Sequence, residues 1–278
     1  MTTPDPRLLS ALHELLGRRP VLLALDFDGV LAPLVDEPLA ARALPGTLAL
    51  LTELAACDGV YVALVSGRAL ADLRTVGQVP ADTDLLLVGS HGAEVDGVAI
   101  ELEPVAAQRL SALHSAFDAI AAEHPGVHVE TKPAGVVLHT RRATTRGAAA
   151  TATQAALTAA AGPGCTVTRG KEVVEVSVVE AGKGVAVERL RERLGVLGVL
   201  YVGDDVTDEN AFAVLGSADV GIKVGEGATV AAHRLPDPPA VQHLLRLALA
   251  ALADPARAPA DPADPARAAD PADPAPPT

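Results

Sequence analysis

Residues 21–31, VLLALDFDGVL, constrain this chain more than any other stretch. A run of Val, Leu and Ala about five residues long, closed by Asp-Gly, reads as a strand buried on both faces, as in a parallel sheet. Residues two apart in a pleated strand point the same way. Asp26 and Asp28 would therefore share a face if the strand continued, and Gly29 lets the backbone turn at once. Carboxylates so close raise each other's pKa and repel unless a cation lies between them or one keeps a proton. The pair implies Mg²⁺, a general acid, or both. Taken alone, the same Asp-x-Asp is also an ordinary capped turn, and other parts of the chain must decide.

The pattern recurs along the chain. Leu8, Leu9, Leu12, Leu15 and Leu16 have helical spacing over residues 7–19, ahead of the first strand. APLVDEPLAARALP is a Pro-punctuated loop, too long for a tight turn and placed to cover whatever the aspartates bind. A helix over residues 46–57 leads to VYVALV, a second apolar strand ending in Ser66-Gly67-Arg68. A hydroxyl and free backbone N–H groups at a strand tip beside a helix N-terminus form an anion site, and Arg68 adds charge; Ser66 as a plain helix cap is the alternative. A third strand, residues 85–88, ends in GSHGAE.

The alternation then changes character. A helix over 104–123, strands in GVHVETKP and GVVLHTR, a helix over 144–161 and strands in CTVTRG and KEVVEVSV make an αββαββ block. The parallel pattern resumes with Lys183 opening a helix. LGVLYVGDDVTDENAF follows as another buried strand with an acidic tip, and then come DVGIKVG, a Gly/Ala-rich loop and a closing helix at 238–253. The expected organisation is a doubly wound α/β core (1–102 and 181–253), an inserted α+β cap (103–180) and a tail (254–278). The Ala/Pro/Asp composition of the tail predicts disorder.

Composition excludes some functions. A net charge of −13 disfavours nucleic acid and anionic membrane surfaces, which require a basic footprint. Cys57 and Cys165 fit no metal spacing and give no disulfide framework, which suits a reducing compartment. The first twenty residues lack the apolar run of a signal peptide, so the expected location is cytoplasmic. Aromatics make up 2% of the chain, so the core must rest on Leu, Val and Ala.

Parallel sheets bind ligands outside the carboxyl ends of their strands, where Asp26, Asp28, Ser66, Lys183 and Asp204 can converge. In such a crevice a carboxylate can attack a phosphoryl group and carry it as an acyl phosphate. Mg²⁺ held by Asp26, the Asp28 backbone carbonyl and Asp204 would neutralise charge, and a lysine and a hydroxyl would complete the anion hole.

These residues resemble a known set. DFDGVL, VSGR, a Lys opening a helix and GDDVTDE are similar to the four motifs of the haloacid-dehalogenase superfamily of phosphotransferases, in order, across most of residues 21–230. Within it, DFDGVLAPLV, SGR, GSHGAE, ETKPAGVVLHTR, RGKEVVEV and GDDVTDENAF resemble the trehalose-6-phosphate phosphatase family. The resemblance implies Asp26 as nucleophile, Asp28 as general acid/base, and Ser66 and Lys183 as the phosphate-holding pair beside Gly67 and Arg68. It implies Asp204 as Mg²⁺ ligand, flanked by Asp205 and Asp208, and Glu130, Lys132, Arg141, Lys171 and Glu175 as cap residues that read a disaccharide. Val30 and Thr140 stand where the family more often has Thr and Tyr. The implied activity is Mg²⁺-dependent hydrolysis of a phosphorylated disaccharide by a monomer. A phosphatase for sucrose phosphate or a glycosyl phosphoglycerate would keep the same core, and a non-catalytic phosphosugar sensor would lose an essential residue that this chain retains.

Overall fold

The computed structural model describes residues 4–97, 102–179 and 181–253; the expected tail and the connections near Glu101 and Glu180 lie outside the described residues. The buried run at the start becomes β1 (Val21–Leu25), preceded by α1 (Pro6–Leu16). There follow α2 (Thr47–Ala55), β2 (Val60–Val65), α3 (Leu70–Gly77), β3 (Leu86–Gly89) and a two-residue β4 (Glu94–Val95). The insert comprises α4 (Pro104–Glu123), β5 (His128–Lys132), β6 (Gly135–His139), α5 (Arg146–Ala159), β7 (Thr166–Gly170) and β8 (Val173–Ser177). The chain returns through α6 (Lys183–Leu194), β9 (Gly198–Gly203), α7 (Glu209–Ala213), β10 (Val220–Val224), β11 (His233–Leu235) and α8 (Pro238–Leu252).

The seven-stranded sheet has the order β11-β10-β9-β1-β2-β3-β4. All its pairs are parallel except β3 with β4. β1 sits centrally between β2 and β9, so the chain winds one way from it and later the other, which puts the switch point at its carboxyl end. Both faces are covered, as the unbroken apolar run demands. Leu23 and Leu25 pack with α1, α2, α3 and α8, while Leu22 and Ala24 pack with α6 and α7. Asp26 N–H still bonds to Val202 O at 2.9 Å, so the ladder runs to the aspartate before the chain turns away.

The insert is a separate antiparallel sheet, β5-β6-β8-β7, backed by α4 and α5. Val136, Leu138, Val174 and Val176 face Phe117, Ala152 and Ala156 in its own apolar cluster. Strand alternation sends Glu130, Lys132, Val137, His139 and Glu175 to the other face.

Candidate active site

The carboxyl ends of the core strands and the polar face of the cap sheet enclose a cavity of about 600 Å³. Asp26, Asp28, Ser66, Gly67, Arg68, Lys183 and Asp204 line it from the core. Glu130, Lys132 and Glu175 line it from the cap. Arg141 and Lys171 do not. Arg141 lies past the end of β6, 63% exposed and 3.7 Å from Glu172, and Lys171 is exposed in the β7–β8 turn. Pleat alternation alone would carry Lys171 to the face of Val173 and Glu175, but Glu172 takes φ 61° and breaks it.

Asp26 is buried at the base of the cavity. Its Oδ1 accepts from the Phe27 N–H at 2.7 Å and its Oδ2 from Lys183 Nζ at 2.6 Å. Burial pushes the Asp26 carboxyl up to about 7, against the pull of Lys183 and with help from Asp208. Burial alone would lower the Lys183 pKa, but Asp26 and Asp208 outweigh it and hold the ammonium charged. Asp28 takes a different environment, with Arg68 Nε and Nη2 donating to its two oxygens at 2.6 and 2.7 Å. Such a bidentate pair is a strong charge-assisted contact.

At the tip of β9, Asp208 is saturated. It accepts from Lys183 Nζ and Tyr201 OH at 2.7 Å each, and from the N–H groups of Asp204 and Asp205 at 2.9 Å each. The neighbouring Asp204 carboxylate accepts no hydrogen bond among the described residues, and burial followed by the Asp208 charge raises its pKa to about 6. Its backbone carbonyl accepts from buried Lys223. A Cβ on Gly29, at φ 74°, would run into the Asp204 carboxylate, so the missing side chain leaves that group its place beside Asp28. Carboxylate oxygens of Asp26, Asp204 and Asp208 lie within 4.8 Å of one another. With Asp208 committed to four donors, Asp26 and Asp204 are the carboxylates that could hold a hard divalent cation, and this all-oxygen donor set suits Mg²⁺.

Ser66 is buried, and its Oγ accepts from the Arg68 N–H at 3.2 Å, which leaves the hydroxyl proton free for an anion. On the cap, Lys132 Nζ donates to Glu175 Oε1 at 2.8 Å and reaches across to Gly67 O of the core at 3.1 Å. Burial raises the Glu175 pKa in spite of Lys132. Glu130 accepts from His139 Nε2 at 2.8 Å, and that bond lowers its pKa. The Pro-punctuated loop contributes Leu34 and Pro38 to the rim. His91 and His139 also line the cavity, although sequence reasoning had not singled them out. For His139 the signal was alternation with Val137 along β6; for His91 it was only its place inside GSHGAE.

This arrangement defines a class. The architecture recurs in a haloacid dehalogenase-like hydrolase from B. subtilis (TM-score 0.59, 15% identity, covering 81% of this chain and 98% of that one). It recurs also in the C-terminal domain of trehalose-6-phosphate phosphatase from C. albicans (TM-score 0.68, 22% identity, 90% and 98%). The fold is haloacid-dehalogenase-like. Residues 24–234 match the family model described as trehalose-phosphatase, and the chain belongs to that family. The trehalose-phosphate phosphatase of Mycobacterium avium is 37% identical over 248 residues, 81% of this chain and 60% of that protein. The chain spans about three fifths of the length of the curated relatives it matches.

Proposed function

We propose that the chain is a Mg²⁺-dependent phosphatase that converts trehalose 6-phosphate to trehalose and phosphate through an aspartyl phosphate on Asp26. The observation that carries this reading is the single cavity in which Asp26, Asp28, Ser66, Lys183 and Asp204 face Glu130, Lys132 and Glu175. Its volume, about 600 Å³, is in the range of small-molecule sites. Family membership supports the substrate.

Asp26 attacks phosphorus, forming an O–P bond as the bond to the sugar oxygen breaks. Asp28, once released by Arg68, acts as the general acid that passes a proton to that leaving oxygen. It then takes a proton from the water that attacks the aspartyl phosphate, and the Asp26 O–P bond breaks to release phosphate. In the resting arrangement both Asp28 oxygens are held by Arg68. Arg68 must therefore exchange Asp28 for phosphoryl oxygens before the proton transfer, which makes substrate binding the event that frees the acid. Ser66 Oγ and the Lys183 ammonium hold the phosphoryl oxygens in place. Asp26, the Asp28 carbonyl and Asp204 would hold Mg²⁺, which would supply charge neutralisation there. The cap excludes water and positions the sugar through Glu130, Lys132 and Glu175. A cytoplasmic location accords with the two unpaired thiols; among the described residues no helix is long and apolar enough to cross a membrane.

The test is phosphate release from trehalose 6-phosphate, sucrose 6-phosphate, a glycosyl phosphoglycerate and a small aryl phosphate, with Mg²⁺ or EDTA. Preference for trehalose 6-phosphate, lost in EDTA and restored by Mg²⁺, is expected. Preference for another sugar would overturn the substrate, and activity in EDTA would overturn the metal.

A further inference from the structure

His91 is held where it is by a turn that costs free energy. Ser90 and His91 are consecutive non-glycine residues in the left-handed region, at φ 48° and 53°, and such conformations persist only where the surroundings impose them. Here the phosphate-binding loop imposes them. Ser90 N–H bonds to Arg68 O at 2.7 Å and His91 N–H to Ser66 O at 3.0 Å, while the Ser90 hydroxyl bonds to Glu94. The turn presses the imidazole onto Gly67, where an added Cβ would lie 2.5 Å from His91 Cε1.

From that position the ring spans core and cap. His91 Nε2 lies 3.6 Å from Glu175 Oε2, too far for a direct hydrogen bond. One hydroxyl oxygen about 2.8 Å from each would subtend only about 80° at this separation, so sharing one requires the two groups to part by up to about 1 Å as it enters. Nε2 is the ring nitrogen that faces the carboxylate, and Nδ1 is buried without a partner. The imidazole is neutral, because burial, with Lys183 and Lys132 nearby, lowers its pKa to about 4. It therefore offers one directional N–H rather than a charge.

We propose that His91 is a substrate-binding, specificity-determining residue that brackets, together with Glu175, one hydroxyl of the sugar ring that bears the phosphate. The hydroxyl accepts from His91 Nε2 and donates to the Glu175 carboxylate. Because the imidazole rests on Gly67, one residue after Ser66, the group it reads lies within one ring of the phosphoryl group. The inference deepens the reading of this cavity as a sugar-phosphate site and rests on it.

The test compares kcat/KM for trehalose 6-phosphate with that for a small aryl phosphate, at saturating Mg²⁺. The proteins are wild type, His91→Asn, His91→Gln, Glu175→Gln and the double variant His91→Asn/Glu175→Gln. Asn tolerates the left-handed backbone but its amide falls short, whereas the Gln amide reaches the place of Nε2. In His91→Asn the ratio of the two kcat/KM values should fall roughly 10-fold, carried by KM for the disaccharide. His91→Gln should recover most of it, and the double variant should be little worse than the poorer single. Equal loss on both substrates, an unchanged ratio, or additive losses would overturn the role of His91. A wild type with no preference for the disaccharide over the aryl phosphate would overturn the sugar-phosphate reading itself, and this inference with it. Unfolding midpoints of each variant separate these outcomes from misfolding, with His91→Gln the variant that keeps both ring-sized volume and donor.

Discussion

Asp26 and Asp28, two residues apart, end in opposite environments. Asp26 is buried against an ammonium and Asp28 faces a guanidinium in the cavity. Asp26→Asn removes the attacking charge with almost no change in volume, so turnover should vanish while the unfolding midpoint shows a folded protein. Asp28→Asn keeps the backbone carbonyl but loses the proton-transfer group and the bidentate pairing with Arg68, so kcat should fall by roughly 10²–10⁴ and not to zero. His91 carries a stability signature as well. The groups facing it are Lys183, Lys132, Glu175 and Asp208. Its folded pKa of about 4 lies below the ordinary 6.5, so between these values the unfolded chain binds a proton that the folded one refuses. Stability present above about 6.5 is thus lost as pH falls through about 4, by at most about 3 kcal/mol. Chemical denaturation between pH 7 and 4 should show a shallower loss for His91→Gln; parallel curves would place the ring in water. The aspartate pair was legible only together with the other strand tips, because Asp-x-Asp by itself is also an ordinary capped turn. His91 was not, since no local pattern tells that a non-glycine residue will take positive φ. Arg141 and Lys171 stay outside the cavity because one lies beyond a strand end and the other in a turn where alternation no longer holds.

Among the elements, the buried strands were the most legible, since an apolar run of Val, Leu and Ala bounded by Gly or Asp has few other uses in a core. β4 and β11 were missed because two or three residues carry no periodicity, and only pairing with β3 and β10 makes them strands. The αββαββ order of the insert was legible because each of its strand pairs is joined by a short turn with a breaker residue or a polar pair, Pro133-Ala134 in one and Lys171-Glu172 in the other. The loop after β9 shows how much a motif conceals: GDDVTDE carries four acids, of which the sequence singles out Asp204, yet Asp208 is the one that organises the loop. Replacing it by Ala leaves the Tyr201 hydroxyl, two backbone N–H groups and half the pairing of Lys183 without an acceptor in a buried setting. Removing one partner of a buried ionic network costs about 3–5 kcal/mol, so Asp208→Ala should lose stability on that scale in denaturant unfolding. Tyr201→Phe, which deletes one donor and leaves Asp208 three, should cost only about 1 kcal/mol. Similar losses for the two would mean that the loop is held by something other than Asp208.

At the scale of the whole molecule, two apolar clusters on the main sheet and a third under the cap sheet are separate bodies of packing, so what joins cap to core at the cavity is polar. Lys132 is the clearest joint. It is a cap residue, 6% exposed, whose ammonium is shared between Glu175 beside it and Gly67 O of the phosphate-binding loop opposite. A lysine so placed ties the position of the cap to the loop that would hold phosphate. Lys132→Met keeps the length of the side chain and removes the charge. Three consequences follow from the same contact: Glu175 loses its partner, Gly67 O loses a donor, and the cap loses a tether. Each hydrogen bond to a charged group is worth about 1.5–3 kcal/mol, so kcat/KM for trehalose 6-phosphate should fall by roughly 10-fold or more, mostly through KM. Hydrolysis of a small aryl phosphate, which does not reach the cap, should fall much less. The apolar clusters are untouched, but Glu175 is left largely buried without its ammonium, so the unfolding midpoint should fall as well. A fall in kcat alone, equal on both substrates, would place Lys132 in the phosphate chemistry instead of at the joint, and recognition by the cap would then have to rest on Glu130 and Glu175.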